Sequence, residues 1–103
     1  MYKLIRDGKV SILRTSIYGA GWSSWNLDYP EILFDPIVVD AVEREIELEA
    51  IEAYLVDKYP NGYFDGYDSL VVERIPVGTE FLIKEYDGVE SVEFKTSINW
   101  LVA

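Results

Sequence analysis

Two apolar-rich runs at the start of the chain predict a β-hairpin. Residues 2–6 and 10–14 flank the tripeptide Asp7-Gly8-Lys9, and an aspartate-glycine step between two such runs is a strong hairpin signal. The pattern changes in residues 18–26, which contain two glycines and have no sustained period. That composition favours a loop after the second strand.

The middle of the chain has apolar residues at helical spacing. Asp35 and Pro36 are typical of a helix start, because aspartate caps free amides and proline is tolerated at the first helical position. Apolar residues then recur at helical intervals up to Lys58, and residues 59–62 (Tyr-Pro-Asn-Gly) favour a stop. The pattern predicts either one long helix over residues 36–58 or two shorter helices.

Three runs rich in β-branched and aromatic residues follow, at residues 70–75, 80–86 and 89–94. Short turns separate them, so we expect them to pair as an antiparallel meander. Residues 98–102 favour either an edge strand or a tail packed on the core. The predicted fold is α+β and a single domain over residues 1–103: the hairpin and the three-stranded meander form a small antiparallel sheet, packed against one long or two short central helices.

Composition excludes most catalytic and metal-binding chemistry. The chain has no cysteine and no histidine, which rules out disulfides, thiolate zinc sites, cysteine nucleophiles and imidazole bases or ligands. We therefore expect a binding protein and not an enzyme, with no catalytic residue, no metal ligand and no cofactor. No run of eighteen apolar residues and no leader pattern is found, so we expect a cytoplasmic protein without membrane contact.

The charge is strongly acidic and unevenly distributed. Nineteen Asp and Glu against nine Lys and Arg give a net charge of −10. Residues 1–15 nevertheless carry a local charge of +3, so the remainder holds −13. Such a remainder should repel nucleic acid and anionic lipid, and a protein with a basic surface is the more natural partner.

Five glutamates crowd residues 43–52. On one continuous helix, Glu43 with Glu47 and Glu45 with Glu49 would repel each other by a few tenths of a kcal/mol per pair. The run is either a solvated face, with charges spread by a break near residues 46–48, or a contact surface for a basic partner. A site for a hard cation is a third interpretation, although the spacing of a calcium loop is missing.

Tyrosines alternate with small polar residues in residues 59–68, a composition typical of recognition loops. The alternative is an ordered connection whose rings cover the sheet. Combined with the glutamate run, this segment gives the predicted partner-binding residues: Glu45, Glu49, Glu52, Tyr63 and Tyr67.

The glycine- and tryptophan-rich loop is a second candidate site. Its aromatic rings could stack on a nucleotide base, its glycines allow close approach, and a neighbouring basic residue could hold phosphate. The alternative is a tight corner covered by core aromatics, since the loop matches no established phosphate-binding fingerprint. The predicted ligand-binding residues are Arg14, Tyr18, Gly19, Gly21, Trp22, Ser23 and Trp25.

Four motifs are spread over the part of the chain from residue 17 to residue 92. They are Gly19-x-Gly21-Trp22, Phe34-Asp35-Pro36, Lys58-Tyr59-Pro60 and Ile75-Pro76-x-Gly78-x-x-Phe81-x-Ile83-x-Glu85-Tyr86-Asp87-Gly88-x-Glu90. In these motifs the chain resembles a family of small hypothetical proteins of tailed bacteriophages. It departs from that family in its opening hairpin, its crowded glutamates and its tail beyond Phe94.

The resemblance implies a context and transfers no functional residue. Small phage proteins of this kind are often host-takeover or anti-defence factors that act stoichiometrically. The leading hypothesis is an accessory protein in the host cytoplasm that inhibits a bacterial anti-phage defence or host factor by binding it through an acidic surface. One alternative is a sponge that sequesters a nucleotide immune signal in an aromatic pocket, at the interface of a homo-oligomer. Another is a structural or assembly protein of the virion.

Overall fold

The structure, a computed structural model, describes residues 3–95. These residues form two antiparallel sheets and two α-helices, so the predicted α+β class is confirmed. In chain order the elements are β1 (Ile5–Arg6), β2 (Lys9–Thr15), α1 (Pro36–Glu43), α2 (Leu48–Lys58), β3 (Leu70–Pro76), β4 (Phe81–Tyr86) and β5 (Val89–Phe94). Short 3-10 helices lie at Ser23–Trp25, Pro30–Phe34 and Tyr67–Ser69.

The opening hairpin is confirmed, with a tight turn between β1 and β2. Asp7 (φ 53°) and Gly8 (φ 73°) both have left-handed backbone, as the favoured two-residue hairpin turn requires. Ile5 and Arg6 pair with the beginning of β2. The second strand extends one residue beyond its predicted range at each end.

The predicted helix start is also confirmed. Asp35 Oδ1 accepts hydrogen bonds from the amides of Ile37 (2.9 Å) and Val38 (3.1 Å), and Pro36 occupies the first turn. These bonds satisfy amides that have no partner within the helix, which typically stabilises a helix by about 1 kcal/mol. The beginning of α1 is therefore fixed by its own sequence.

A break divides the helical segment into two helices. The amides of Glu45 and Ile46 donate to the carbonyls of Val42 (3.1 Å) and Ala41 (2.8 Å), which is the Schellman arrangement at a helix end. Glu45 has a φ of 56°, in the left-handed region where glycine is usual. Because α1 ends here, the glutamates before and after the break do not share one continuous helix.

The strand pairing after residue 69 differs from the predicted meander. β3 lies antiparallel to β2 over its whole length, with Leu70 opposite Thr15, so the first sheet has the order β1-β2-β3. β4 and β5 form a separate two-stranded sheet within the described residues. The β2–β3 pairing continues into the turn after β3, where the Val77 amide donates to the Gly8 carbonyl (2.9 Å), so this turn is tied to the first hairpin. Residues 98–102 lie outside the described residues.

Two clusters of buried apolar side chains join these elements. The smaller cluster packs Ile12 of β2 and Ile75 of β3 against Phe34, with Ile83 and Val92 of the second sheet alongside. The larger cluster lies between the first sheet, the loops and the two helices. Its buried members are Leu13, Trp22, Ile32, Val38, Val39, Leu55, Tyr59, Tyr67 and Leu70.

Candidate interaction surfaces

A buried carboxylate, Glu90, joins the glycine- and tryptophan-rich loop (residues 18–26) to β5. Its side chain is completely buried. Oε1 accepts a hydrogen bond from the amide of Thr15 (3.0 Å), and Oε2 accepts from the amides of Trp22 (2.9 Å) and Ser24 (3.0 Å) and from the Ser24 hydroxyl. Charge-assisted bonds from four donors compensate for the loss of water around the carboxylate.

The turn between β4 and β5 is seated against the same loop. The Gly19 amide donates to the Asp87 carbonyl (2.8 Å), and the Thr15 hydroxyl donates to the Gly88 carbonyl. A Cβ at Gly88 would stand 2.5 Å from the amide nitrogen of Ala20, so a larger residue would displace the loop. The first and the last of the four sequence motifs therefore meet, and their contacts hold the two sheets together.

A second buried carboxylate, Asp35, joins the beginning of α1 to the end of α2. Its Oδ2 accepts from the hydroxyls of Tyr59 (2.6 Å) and Tyr54 (2.7 Å), with Lys58 Nζ at 3.3 Å. Burial disfavours the charged form of Asp35 and would raise its pKa. The hydrogen bonds from Tyr59, Tyr54 and the Val38 amide, together with the charge of Lys58, outweigh burial, so the pKa of Asp35 lies below its ordinary value. Burial and the hydrogen bond to Asp35 raise the pKa of Tyr59. The second and third motifs thus form one structural clamp.

Trp22, one of the predicted ligand-binding residues, lies in the core. Its ring is fully buried and packs against Phe64 and Tyr67, with ring centroids 6.0 and 6.4 Å away. The indole N–H donates to the Ile32 carbonyl (3.0 Å). In this position Trp22 presents no exposed face on which a ligand could stack.

Arg14 and Tyr18, which were predicted to bind the same ligand, already have partners within the protein. Arg14 forms a part-buried salt bridge with Glu73 of β3, and its Nη1 lies 3.4 Å from the Glu90 carbonyl oxygen. Tyr18 is exposed and packs edge-on against Tyr86, with ring centroids 6.3 Å apart. The charge of Arg14 is therefore balanced inside the sheet.

Trp25, in contrast to Trp22, reaches the surface and packs against Tyr63. Their ring centroids are 5.3 Å apart, at an angle of 45°. Gly21 makes room for this arrangement, because a Cβ there would stand 2.7 Å from Trp25 Cδ1. The Asn26 side chain holds the two segments together, donating to the Tyr63 carbonyl (2.8 Å) and accepting from the Tyr63 amide (2.7 Å).

These two rings line an open depression of about 430 Å³. We call it the aromatic depression and define it by Ser24, Trp25, Leu27, Asp28 and Tyr63. A second depression of about 280 Å³ shares Ser24 and Leu27 with it and includes Ser23, another predicted ligand-binding residue. Neither depression has a lysine or arginine among the described residues that line it.

The predicted partner-binding glutamates are all exposed. With Glu47 they form what we call the acidic surface, at the α1–α2 break and on α2: Glu45, Glu47, Glu49 and Glu52. None of the four forms a salt bridge with a lysine or arginine of residues 3–95. Glu43, on the other side of the break, lies 3.3 Å from Arg74 and 3.9 Å from Arg6.

The two predicted partner-binding tyrosines differ in position. Tyr63 is exposed in the aromatic depression, whereas Tyr67 is buried in the larger core cluster. The Tyr67 hydroxyl donates to the carbonyl of Ile46, in the break between the helices. Tyr67 therefore anchors the segment that carries Glu45.

Most basic side chains are engaged within the protein. Of the nine lysines and arginines, seven form salt bridges with acidic residues in the described part of the chain. Lys3 lies 4.8 Å above the ring of Phe34. Glu43 and Glu73 balance Arg6 and Arg14 of the basic opening hairpin. Two of the four basic residues of the hairpin thus have an acidic partner, whereas the acidic surface has no basic partner within residues 3–95.

Glu90, Asn26 and Leu27 were not among the predicted site residues, although Glu90 ends the fourth sequence motif. Glu90 carries a signal, because it is in phase with Val92 in the period-two pattern of β5 and so places a carboxylate on the inward face. Asn26 carries none, since its role depends on Tyr63, 37 residues away. Leu27 is 82% exposed, and its role depends on the depression around it.

Within residues 3–95, no group of three or more acidic side chains is arranged to hold a metal ion. None of the helices described there is both long enough and apolar enough to cross a membrane. Comparison with protein-family models, with curated proteins and with solved structures finds no match for the chain.

Proposed function

We propose that the protein is a phage-encoded accessory protein that inhibits a bacterial defence or host factor by stoichiometric binding in the host cytoplasm. The phage and host context rests on the resemblance in the four sequence motifs. The observation that carries binding through the acidic surface is the distribution of charge. Seven of nine basic side chains are paired within the described residues, while the four glutamates of the acidic surface are exposed and unpaired there. A basic partner surface would pair these glutamates without breaking an internal ion pair.

The backbone at Glu45 supports the same proposal. In residues 3–95, four non-glycine residues have positive φ, and the other three are Asp7, Asn61 and Asp87. Aspartate and asparagine are enriched in this region of backbone space, whereas glutamate is not. A glutamate at a position that favours glycine costs stability, and its exposed carboxylate is free of salt bridges within the described residues.

The geometry supports protein binding better than capture of a nucleotide. Trp22 is buried and Arg14 is paired with Glu73. A phosphate group needs hydrogen-bond donors and positive charge, and neither depression contains a described basic residue. Negative charge on the exposed surface would repel such a ligand and attract a basic protein.

Charge reversal on the acidic surface tests the proposal. We expect the triple variant Glu45→Lys, Glu49→Lys and Glu52→Lys to fold but to recover no partner from lysates of infected or defence-expressing cells, and to abolish the effect on phage growth. The three side chains are exposed and form no salt bridge within residues 3–95, and substitutions at such surface positions usually change stability by no more than about 0.5 kcal/mol. Circular dichroism and thermal unfolding verify the fold.

A matched control carries three charge reversals elsewhere, Asp7→Lys, Glu80→Lys and Glu93→Lys, at positions that are also exposed. We expect this variant to retain both the partner and the phenotype. The proposal fails if the wild-type protein captures no partner and the first variant leaves the phage phenotype intact. Equal loss in both variants would show that net charge, and not the acidic surface, is responsible.

A further inference from the structure

The aromatic depression is a preorganised apolar surface. Trp25 is 38% exposed, Tyr63 40% and Leu27 82%, so all three present apolar area to solvent. The two hydrogen bonds between Asn26 and the Tyr63 backbone hold together the two segments that carry the rings, and the rings pack against each other. Tryptophan and tyrosine are the residues most enriched at protein interfaces, and fixed rings lose little entropy when a partner binds.

The depression is also electronegative. Asp28 lies in its lining, and no lysine or arginine does so among the described residues. A hydrogen bond with the Asp65 carboxylate is the main cause that raises the pKa of Tyr63 above its ordinary value. Carboxylates beside the negative faces of aromatic rings favour a cation over an anion or a neutral group.

We propose that the aromatic depression binds an arginine side chain of the partner, an assignment that rests on the proposed function and names the chemistry of the partner at this point. The Trp25 and Tyr63 rings are in contact, so the guanidinium cannot enter between them and stacks on their exposed faces. Asp28 then accepts its hydrogen bonds. Arginine fits better than lysine because its planar, weakly hydrated cation both stacks on rings and pairs with carboxylates.

Titration with a minimal peptide tests the assignment. The probe is acetyl-Gly-Arg-Gly-amide, followed by NMR of the three tryptophan indole N–H signals. The variants Trp25→Phe and Trp100→Phe assign two of them and leave Trp22 as the third. We expect the Trp25 signal to shift, with a dissociation constant on the order of 10 mM. The Trp22 signal is an internal control and should stay in place, because that ring is fully buried.

Variants of the depression sharpen the result. Trp25→Ala should weaken peptide binding about tenfold through loss of stacking, and Asp28→Asn should weaken it about threefold through loss of the ion pair. Because Leu27 and Asp28 are exposed, Leu27→Ala and Asp28→Asn keep the test interpretable even if Trp25→Ala unfolds. The peptide in which citrulline replaces arginine has the same shape without the charge, and it should not bind.

Two outcomes with control peptides would overturn the assignment: equal shifts with the citrulline peptide, or equal affinity for the peptide in which lysine replaces arginine. A larger Trp25 shift with adenosine triphosphate would also overturn it, as would a Trp25 shift when the protein is diluted without peptide. The last result would identify a second copy of the chain as the occupant. The acidic-surface triple variant separates this inference from the proposed function, since it should still bind the peptide. If that variant loses the phage phenotype while the wild type never binds the peptide, the arginine site falls and the proposed function stands.

Discussion

Glu90 lies fully buried beneath four hydrogen-bond donors, whereas Glu52 of the acidic surface is exposed and has no ion-pair partner in the described residues. Both side chains end in a carboxylate. The Glu90 carboxylate is saturated with hydrogen bonds inside the protein, whereas the Glu52 carboxylate faces solvent and can contact a partner. The net charge of the chain counts the two alike. The number and position of donors around each carboxylate therefore decide whether its charge contributes to stability or to recognition.

Asp35, at the beginning of α1, is a second buried and fully hydrogen-bonded carboxylate that contrasts with the exposed glutamates of the acidic surface. One of its oxygens caps α1, and the other accepts hydrogen bonds from Tyr54 and Tyr59. The two buried carboxylates thus tie together segments that are distant along the chain. Substitutions at the buried carboxylates should change stability, while substitutions on the acidic surface should change binding.

The largest effect is expected at Glu90. In Glu90→Gln, the new NH2 group must face either the Thr15 amide or the amides of Trp22 and Ser24, so two donors oppose each other in the core. We expect the free energy of unfolding to fall by about 3 kcal/mol, from an unsatisfied buried donor and the loss of charge-assisted bonds. Urea unfolding followed by circular dichroism measures this change.

Glu93→Gln is the matched control on the same strand. Glu93 pairs with Lys84 on the surface, where both side chains are largely exposed, and such pairs contribute about 0.2–1 kcal/mol. If the Glu90 and Glu93 variants were equally stable, the buried hydrogen bonds of Glu90 would contribute no net stability.

A smaller and pH-dependent effect is expected at Asp35. The oxygen of an asparagine can keep the cap on α1. Its NH2 group, however, stands where the hydroxyls of Tyr54 and Tyr59 need an acceptor, and the variant has no negative charge opposite Lys58. We expect Asp35→Asn to lower the free energy of unfolding at pH 7 by about 2 kcal/mol.

The sign of the pH dependence follows from the lowered pKa of Asp35. Its charged form is favoured in the folded state, so its contribution is present above the ordinary pKa of an aspartate and is lost as the pH falls through the folded value. The difference in stability between the wild type and Asp35→Asn should therefore shrink as the pH falls below the ordinary aspartate pKa of 3.8. A difference that stays constant or grows on acidification would contradict this account.

The elements that the sequence predicted correctly have local signals. The turn at Asp7 and Gly8 and the helix start at Asp35 each follow from a few adjacent residues. The pairing of β3 was predicted wrongly because short turns favour neighbouring strands, whereas here the partner is β2. That pairing depends on contacts such as the one between Arg14 and Glu73, which are 59 residues apart.

The candidate surfaces were predictable only in part, for the same reason. Exposure of the glutamates on α2 follows from their polarity and helical spacing. Trp22 and Trp25, however, are the same residue type in the same loop, and no local pattern distinguishes them. Trp22 packs against Phe64 and Tyr67 in the core, where the Ile32 carbonyl accepts its indole proton. Trp25 is exposed beside Tyr63, whose backbone Asn26 holds in place. Both contacts arise from the fold.

The smallest expected effect is at Glu45, where a substitution should raise the free energy of unfolding and not lower it. A residue with a Cβ is strained at a φ of 56°, so Glu45→Gly should raise the free energy of unfolding by about 1 kcal/mol relative to Glu45→Ala. Both variants remove the same charge, and their comparison therefore isolates the backbone. Urea unfolding measures the difference, and equal stability of the two variants would remove the argument from strain. If the carboxylate serves recognition, both variants should bind the partner equally weakly, so that Glu45→Gly gains stability while it loses affinity.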